Sequence, residues 1–352
     1  MRTAEQGQKS VSLETTTIRL KVQSLGAMIG PAEFILPEGK TIDPFFSAPW
    51  SDETNHPLYT SLPPLLRKLR GEWPCVPFGR TTPPEGLKSD WKIKAPAENI
   101  TSEINPHGIS SNSEWSLEKK DNKSLICKLE YPKDHPIERL ERTIVLSQNQ
   151  PTLYLSLTIH ARESTFLPIG LHPVFTLPTL PAAARISVSE NTRAWTYPVE
   201  VETDNSWFQA NQKDCKLNEL VKRNGKTDRL RSLPFEEPSE DLVLLSGTGG
   251  EVKLDHLQGG YSATLNWDSE TLPSCLLWIS CGGREYYPWN GRVKAIGIEP
   301  IAAPFDLGIA QSGDLETPLA AAGIPTGIQL DPAKSLTINY SISIQSLPYS
   351  SK

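Results

Sequence analysis

No run of 18 apolar residues occurs anywhere in the 352-residue chain, and the opening MRTAEQGQKSVSLETTT contains no apolar stretch of the kind a secretory signal carries. Neither a membrane helix nor an export signal is therefore expected, which predicts a cytoplasmic protein with no membrane partner. Positive charge is also in deficit. Lys and Arg number 35 against 41 Asp and Glu, giving a net charge of −6 without any basic block. That balance argues against a nucleic-acid partner and favours a neutral or polar small ligand. Cysteine is sparse: Cys75, Cys127, Cys215, Cys275 and Cys281 form an odd set with no C-x-x-C pair. Reduced core thiols are expected, with neither a disulfide framework nor a metal site.

Turn formers and aromatics are plentiful. The chain has 31 Pro and 23 Gly, with nine each of Trp, Tyr and Phe, so many turns and few long helices are expected. The length could hold two domains, but all-β folds run long as single units, and the expectation is one large antiparallel β-sandwich over residues 1–352. Short alternating runs read as strands at Val11 to Leu13, Thr17 to Val22 and Ala32 to Ile35. Others follow at Trp115 to Lys119, Ser124 to Tyr131, Glu138 to Ser147, Thr152 to Ala161 and Tyr261 to Trp267. Residues 37–64, rich in Pro and aromatics without period, read as a long arm that covers an edge or a partner, in a monomer or homodimer. KLNELVKRNGKTDRLRSL has the composition of a short helix, and Leu307 to Gln329 reads as a loop.

The residues that could carry chemistry are few. Val293-Lys294-Ala295-Ile296-Gly297-Ile298-Glu299 reads as a strand stopped by Pro300, with Glu299 sharing a face with Gly297 and Ala295, which leave room beside it. Taken alone, a strand-end Glu is more often half of an ion pair. His172, between an apolar run and Pro173, would by itself be a core histidine bonded to a carbonyl. His107, beside Gly108, would be a turn histidine bonded to backbone. His160 lies in an alternating run and reads as a sheet residue.

Four pieces in one order change those odds: Arg70-Gly71 leading into the Trp/Pro-Pro-Phe-Gly turn up to Gly79, His107-Gly108 with Trp115, Leu171-His172-Pro173-x-Phe175, and Ile298-Glu299-Pro300. Over roughly residues 60 to 306 the chain resembles the aldose 1-epimerase (galactose mutarotase-like) superfamily. The resemblance implies a β-supersandwich with a sugar in an open cleft on its concave face, and anomer interconversion without a cofactor. It implies Glu299 as the base at the O1 hydroxyl and His172 as the acid at the ring oxygen. It further implies His107 on the ring-oxygen side, Arg70 at sugar hydroxyls or an attached anion, and Asp241 as a sugar-binding aspartate, although Asp241 equally fits a turn aspartate. Trp278, Trp289 and Tyr287 would form either a stacking wall or simply a packed aromatic loop. Two departures bear on substrate. Ser111 stands where phosphosugar members carry an Arg, and Glu72 replaces a second Gly and is expected to add negative charge near the mouth. Both tilt towards a neutral sugar, with Arg80, Arg284 or Arg292 as replacement cations. The alternatives are a hexose-6-phosphate 1-epimerase with a relocated phosphate site and a carbohydrate-binding protein without turnover.

Overall fold

The computed structural model describes residues 9–93 and 103–347. Two antiparallel sheets carry the fold. A nine-stranded sheet runs in the order Ser232–Leu233, Ala184–Ser187, Glu251–His256, Tyr261–Trp267, Leu336–Ser346, Thr152–Ala161, Ile137–Leu146, Ser124–Glu130, Ser116–Lys119. An eight-stranded sheet runs Cys215–Lys216, Arg193–Thr196, Glu240–Ser246, Ser274–Cys281, Lys294–Ala302, Ile169–Leu171, Pro74–Cys75, with Val174–Thr176 also paired to Lys294–Ala302. A four-stranded meander at the N-terminal end, Ser10–Glu14 to Thr41–Ile42, packs into the same core.

The expected all-β sandwich is what forms, and alternation explains how. In Leu336–Ser346 and Thr152–Ala161 every second residue enters the core between the sheets. The strands of the eight-stranded sheet differ because both of their faces are covered. Val243, Leu245, Leu277 and Ile279 enter the core between the sheets, whereas Leu242, Leu244, Leu276 and Trp278 enter a second apolar cluster on the other face. Double burial accounts for the continuous runs DLVLL and CLLWISC, where period two fades.

Three local readings are corrected. Pro300 does not stop its strand, which continues to Ala302. Ile298 N–H donates to Pro173 O (2.9 Å), so Pro300, two residues on, would donate towards the same neighbour and has no N–H to give. The ladder on that side is interrupted between the Gly170–Ile301 and Val174–Gly297 pairs, while Ser274–Cys281 holds the other side without a break. The segment expected to be helical forms the hairpin Leu220–Val221 with Thr227–Asp228 instead. Its Asn224-Gly225 turn, with Gly225 at φ 81°, outweighs helical composition. The loop after Asp306 contains two single-turn helices, Ile309–Ser312 and Pro318–Ala321.

Candidate active site

The second apolar cluster forms the walls of a cavity of about 220 Å³, lined by Leu65, Leu66, Leu69, Trp73, Arg80, Pro106, His107, His172, Leu242, Leu276, Trp278, Arg284, Trp289, Glu299 and Asp306. Register builds the floor. Leu276 pairs with Glu299 and Trp278 with Gly297 on adjacent strands, so these side chains share one face. A Cβ at Gly297 would lie 2.1 Å from Glu299 Oε1, so the missing side chain is the space that the carboxyl occupies. Gly297→Ala is therefore expected to displace the carboxyl by a substantial fraction of an ångström. A shifted Glu299 carboxyl resonance by NMR with an unchanged circular dichroism spectrum would be the signature, and an unshifted one would count against this packing.

Glu299 is 1% exposed and His172 6% exposed, with Glu299 Oε1 3.4 Å from His172 Nε2. The imidazole stacks on Trp73 (centroids 4.2 Å apart, 18° between planes), and His172 N–H donates to Trp73 O at 2.9 Å. Among the described residues neither Glu299 Oε1 nor His172 Nδ1 has a hydrogen-bond partner. Burial, and secondarily the charge of Asp306, hold the Glu299 carboxyl well above the usual carboxylate range. Burial, then the neighbouring His107, holds the His172 imidazole well below its usual range. His107 stands edge-on to His172 at 4.9 Å, takes up the left-handed conformation (φ 60°), and is pushed down to about 4 by burial. Gly79 N–H reaches its Nδ1 at 3.4 Å.

The aromatic wall consists of Trp278 and Trp289, edge-on at 5.7 Å, with the Arg284 guanidinium 4.7 Å over the Trp289 ring. Tyr287 stacks instead on His56 (3.7 Å) and does not line the cavity. That stack belongs to the Pro-rich arm, which packs against the aromatic wall rather than standing free. Trp50 packs edge-on against Trp289 at 4.9 Å and Glu53 pairs with Arg292 at 2.6 Å. The turn at Pro64–Arg67 then brings in Leu65 and Leu66.

Three expectations fall elsewhere. Arg70 does not line the cavity: Leu69 points in, and the next side chain lies along Gly30, with its Nε donating to Lys68 O at 3.2 Å. Asp241 does not line it either; its carboxylate accepts the backbone N–H groups of Trp207 and Phe208 (3.0–3.1 Å), the anchoring role open to a turn aspartate. The acid turned towards the site is one residue earlier. Glu240 accepts Trp278 Nε1–H (3.1 Å) and the Ser280 hydroxyl, and lies 3.8 Å from Arg284. Glu72 is not near the mouth. It is fully buried and paired with Arg142, and Tyr340 donates to it at 2.7 Å. Ser111 is likewise fully buried, its hydroxyl donating to His107 O (2.7 Å).

Arg80 and Arg284, named from the sequence as replacement cations, line the cavity, whereas Trp73 and Asp306 line it without an assigned role. Trp73 lay within the Trp/Pro turn of the motif, and Asp306 carried no signal beyond being the first acid after the Ile-Glu-Pro strand.

No protein-family model matches the chain, and no curated protein matches it in sequence. Solved structures match almost end to end. An Escherichia coli K12 protein assigned provisionally as an aldose 1-epimerase superposes with TM-score 0.62 at 17% identity, over 96% of this chain and 99% of that one. A galactose mutarotase related enzyme from Lactobacillus acidophilus gives 0.57 at 16% identity (97% and 99%). A GalM/aldose epimerase homologue from C. elegans gives 0.59 at 12% (96% and 99%). The chain has the galactose mutarotase-like β-sandwich fold.

Proposed function

We propose that the cavity interconverts the anomers of an aldose. The observation that carries this reading is the buried Glu299–His172 pair, 3.4 Å apart on the floor of a cavity the size of one sugar ring, with no other partner on the facing carboxyl oxygen among the described residues. Glu299 takes the O1 proton, the C1–O5 bond breaks as C1=O forms, and the His172 imidazolium protonates O5. The free aldehyde turns about C1–C2, and the same two transfers run backwards to close the opposite anomer, returning both protons.

One shared proton suffices for the cycle. Burial favours the neutral carboxyl and neutral imidazole. The reactive form differs only in having that proton on His172, and sugar hydroxyls that hydrogen-bond the carboxylate and imidazolium favour it. The rate should hence be level around neutral pH, failing in acid when the pair gains a second proton and in alkali when it loses its only one.

A neutral sugar is favoured because both cavity arginines are already matched by carboxylates. Arg80 lies 3.4 Å from Asp306, and Arg284 lies 2.9 Å from Glu202 and 3.8 Å from Glu240. Among the described residues a phosphate would meet no surplus cation in the cavity. Exchange NMR or polarimetry on glucose, galactose and glucose 6-phosphate tests the reading. Acceleration of at least one free aldose is expected. Saturable sugar binding without any acceleration would leave a carbohydrate-binding protein instead.

A further inference from the structure

A second set of ionisable groups lines the same cavity and is not used by that chemistry: Arg80, Asp306 and His107. Three chain segments are tied together to hold it. His107 N–H donates to Gly79 O (2.6 Å) and Arg80 N–H to Asp306 O (2.8 Å). A Cβ at Gly79 would lie 2.8 Å from Asp306 O, so no other residue fits that approach. Phe305, a bulky side chain, is held at φ 55°, a conformation such residues adopt only where surrounding structure imposes it. The result is a fixed carboxylate with two unlike oxygens. Oδ2 lies 3.4 Å from Arg80 Nε, whereas Oδ1 is buried and has no well-formed hydrogen bond among the described residues; the Tyr197 hydroxyl, itself without one, lies beside the carboxylate. A buried acceptor left unpaired is costly, and a ligand hydroxyl would remove that cost.

We propose that Asp306 Oδ1 accepts a hydrogen bond from a ring hydroxyl of the bound sugar, fixing the ring relative to Glu299 and His172, with Arg80 holding the carboxylate in place. This rests on the epimerase reading and adds a positioning residue to it. Its charge supplies an independent readout. The groups facing Glu299 are His172, His107 and Asp306, with Arg80 and Arg284 on the same cavity wall and the buried thiols of Cys75 and Cys275 close by. Among them Asp306 disfavours an ionised Glu299. Removing that charge should let the pair lose its proton at lower pH.

The experiment is exchange NMR on wild type, Asp306→Asn and Arg80→Gln with glucose and its 2-, 3-, 4- and 6-deoxy analogues across pH. In the wild type one deoxy sugar should lose about tenfold in kcat/KM, the cost of one unmade hydrogen bond. Asp306→Asn should lose about as much on glucose, mainly in KM, and nothing further on that analogue. Its alkaline limb should move to lower pH, and that of Arg80→Gln to higher pH. An unmoved limb together with wild-type discrimination among the deoxy sugars overturns the proposal, whatever happens to thermal stability. If the wild type accelerates no sugar, the epimerase reading fails separately. Saturation-transfer NMR of glucose then decides the role of Asp306: binding that is equal in wild type and Asp306→Asn, or absent from both, overturns it.

Discussion

Glu299→Gln should abolish anomerisation, with a loss of about 10²- to 10⁴-fold in kcat, and should raise the melting temperature at neutral pH. The two effects share one cause. Burial lifts the Glu299 carboxyl above its ordinary value of 4.5, so the folded protein holds a proton there under conditions in which the unfolded chain has released it. The stability associated with that proton is fully present below about pH 4.5 and is lost as pH rises through the folded-state value. Each unit of elevation costs about 1.4 kcal/mol once the carboxyl is ionised. An amide does not titrate. The gap in melting temperature between variant and wild type should consequently open above about pH 4.5 and level off once folded Glu299 ionises. Scanning calorimetry at several pH values measures it, and a pH-independent gap would show that the carboxyl is solvated rather than buried.

The second large effect lies behind the site. Arg142 and Glu72 are both fully buried, and Arg142 Nη1–H also donates to Ala27 O at 2.7 Å. Arg142 and Tyr340 belong to the nine-stranded sheet, while Glu72 precedes Trp73, the residue that stacks on His172. Arg142→Met would leave a buried, uncompensated carboxyl. A loss of about 3–5 kcal/mol is expected by urea denaturation, and pairing it with Glu72→Leu should restore most of it, because the penalty belongs to the orphaned charge more than to the missing pair. A single-variant loss below about 1 kcal/mol would mean that water reaches the site.

Much of this was legible in the sequence, and the part that was not has physical reasons. Strands with one wet face, such as Thr152–Ala161 and Tyr261–Trp267, fall where alternation puts them. The relation of Glu299 to Gly297 was readable because strand parity fixes which side chains are neighbours. Parity also accounts for Asp241: in a doubly buried strand both faces look alike, so DLVLL does not disclose that its first residue points away and Glu240 points in. Arg70 and Glu72 depended on how a turn between strands directs its side chains, which spacing does not encode. Glu72 was expected beside water because acids usually are, and its partner lies 70 residues away in the other sheet.

The clasp between the arm and the rim of the cavity joins distant parts of the chain: Glu53 and Arg292 are separated by 239 positions. Closing so long a loop is entropically expensive and returns little until both segments are in place. During refolding this contact should therefore form late, after the strands of the two sheets have paired. Because Phe46 N–H donates to Val174 O and Thr176 N–H to Pro44 O, the start of the arm is tied into the eight-stranded sheet, and hydrogen exchange there should be as slow as in the sheet itself.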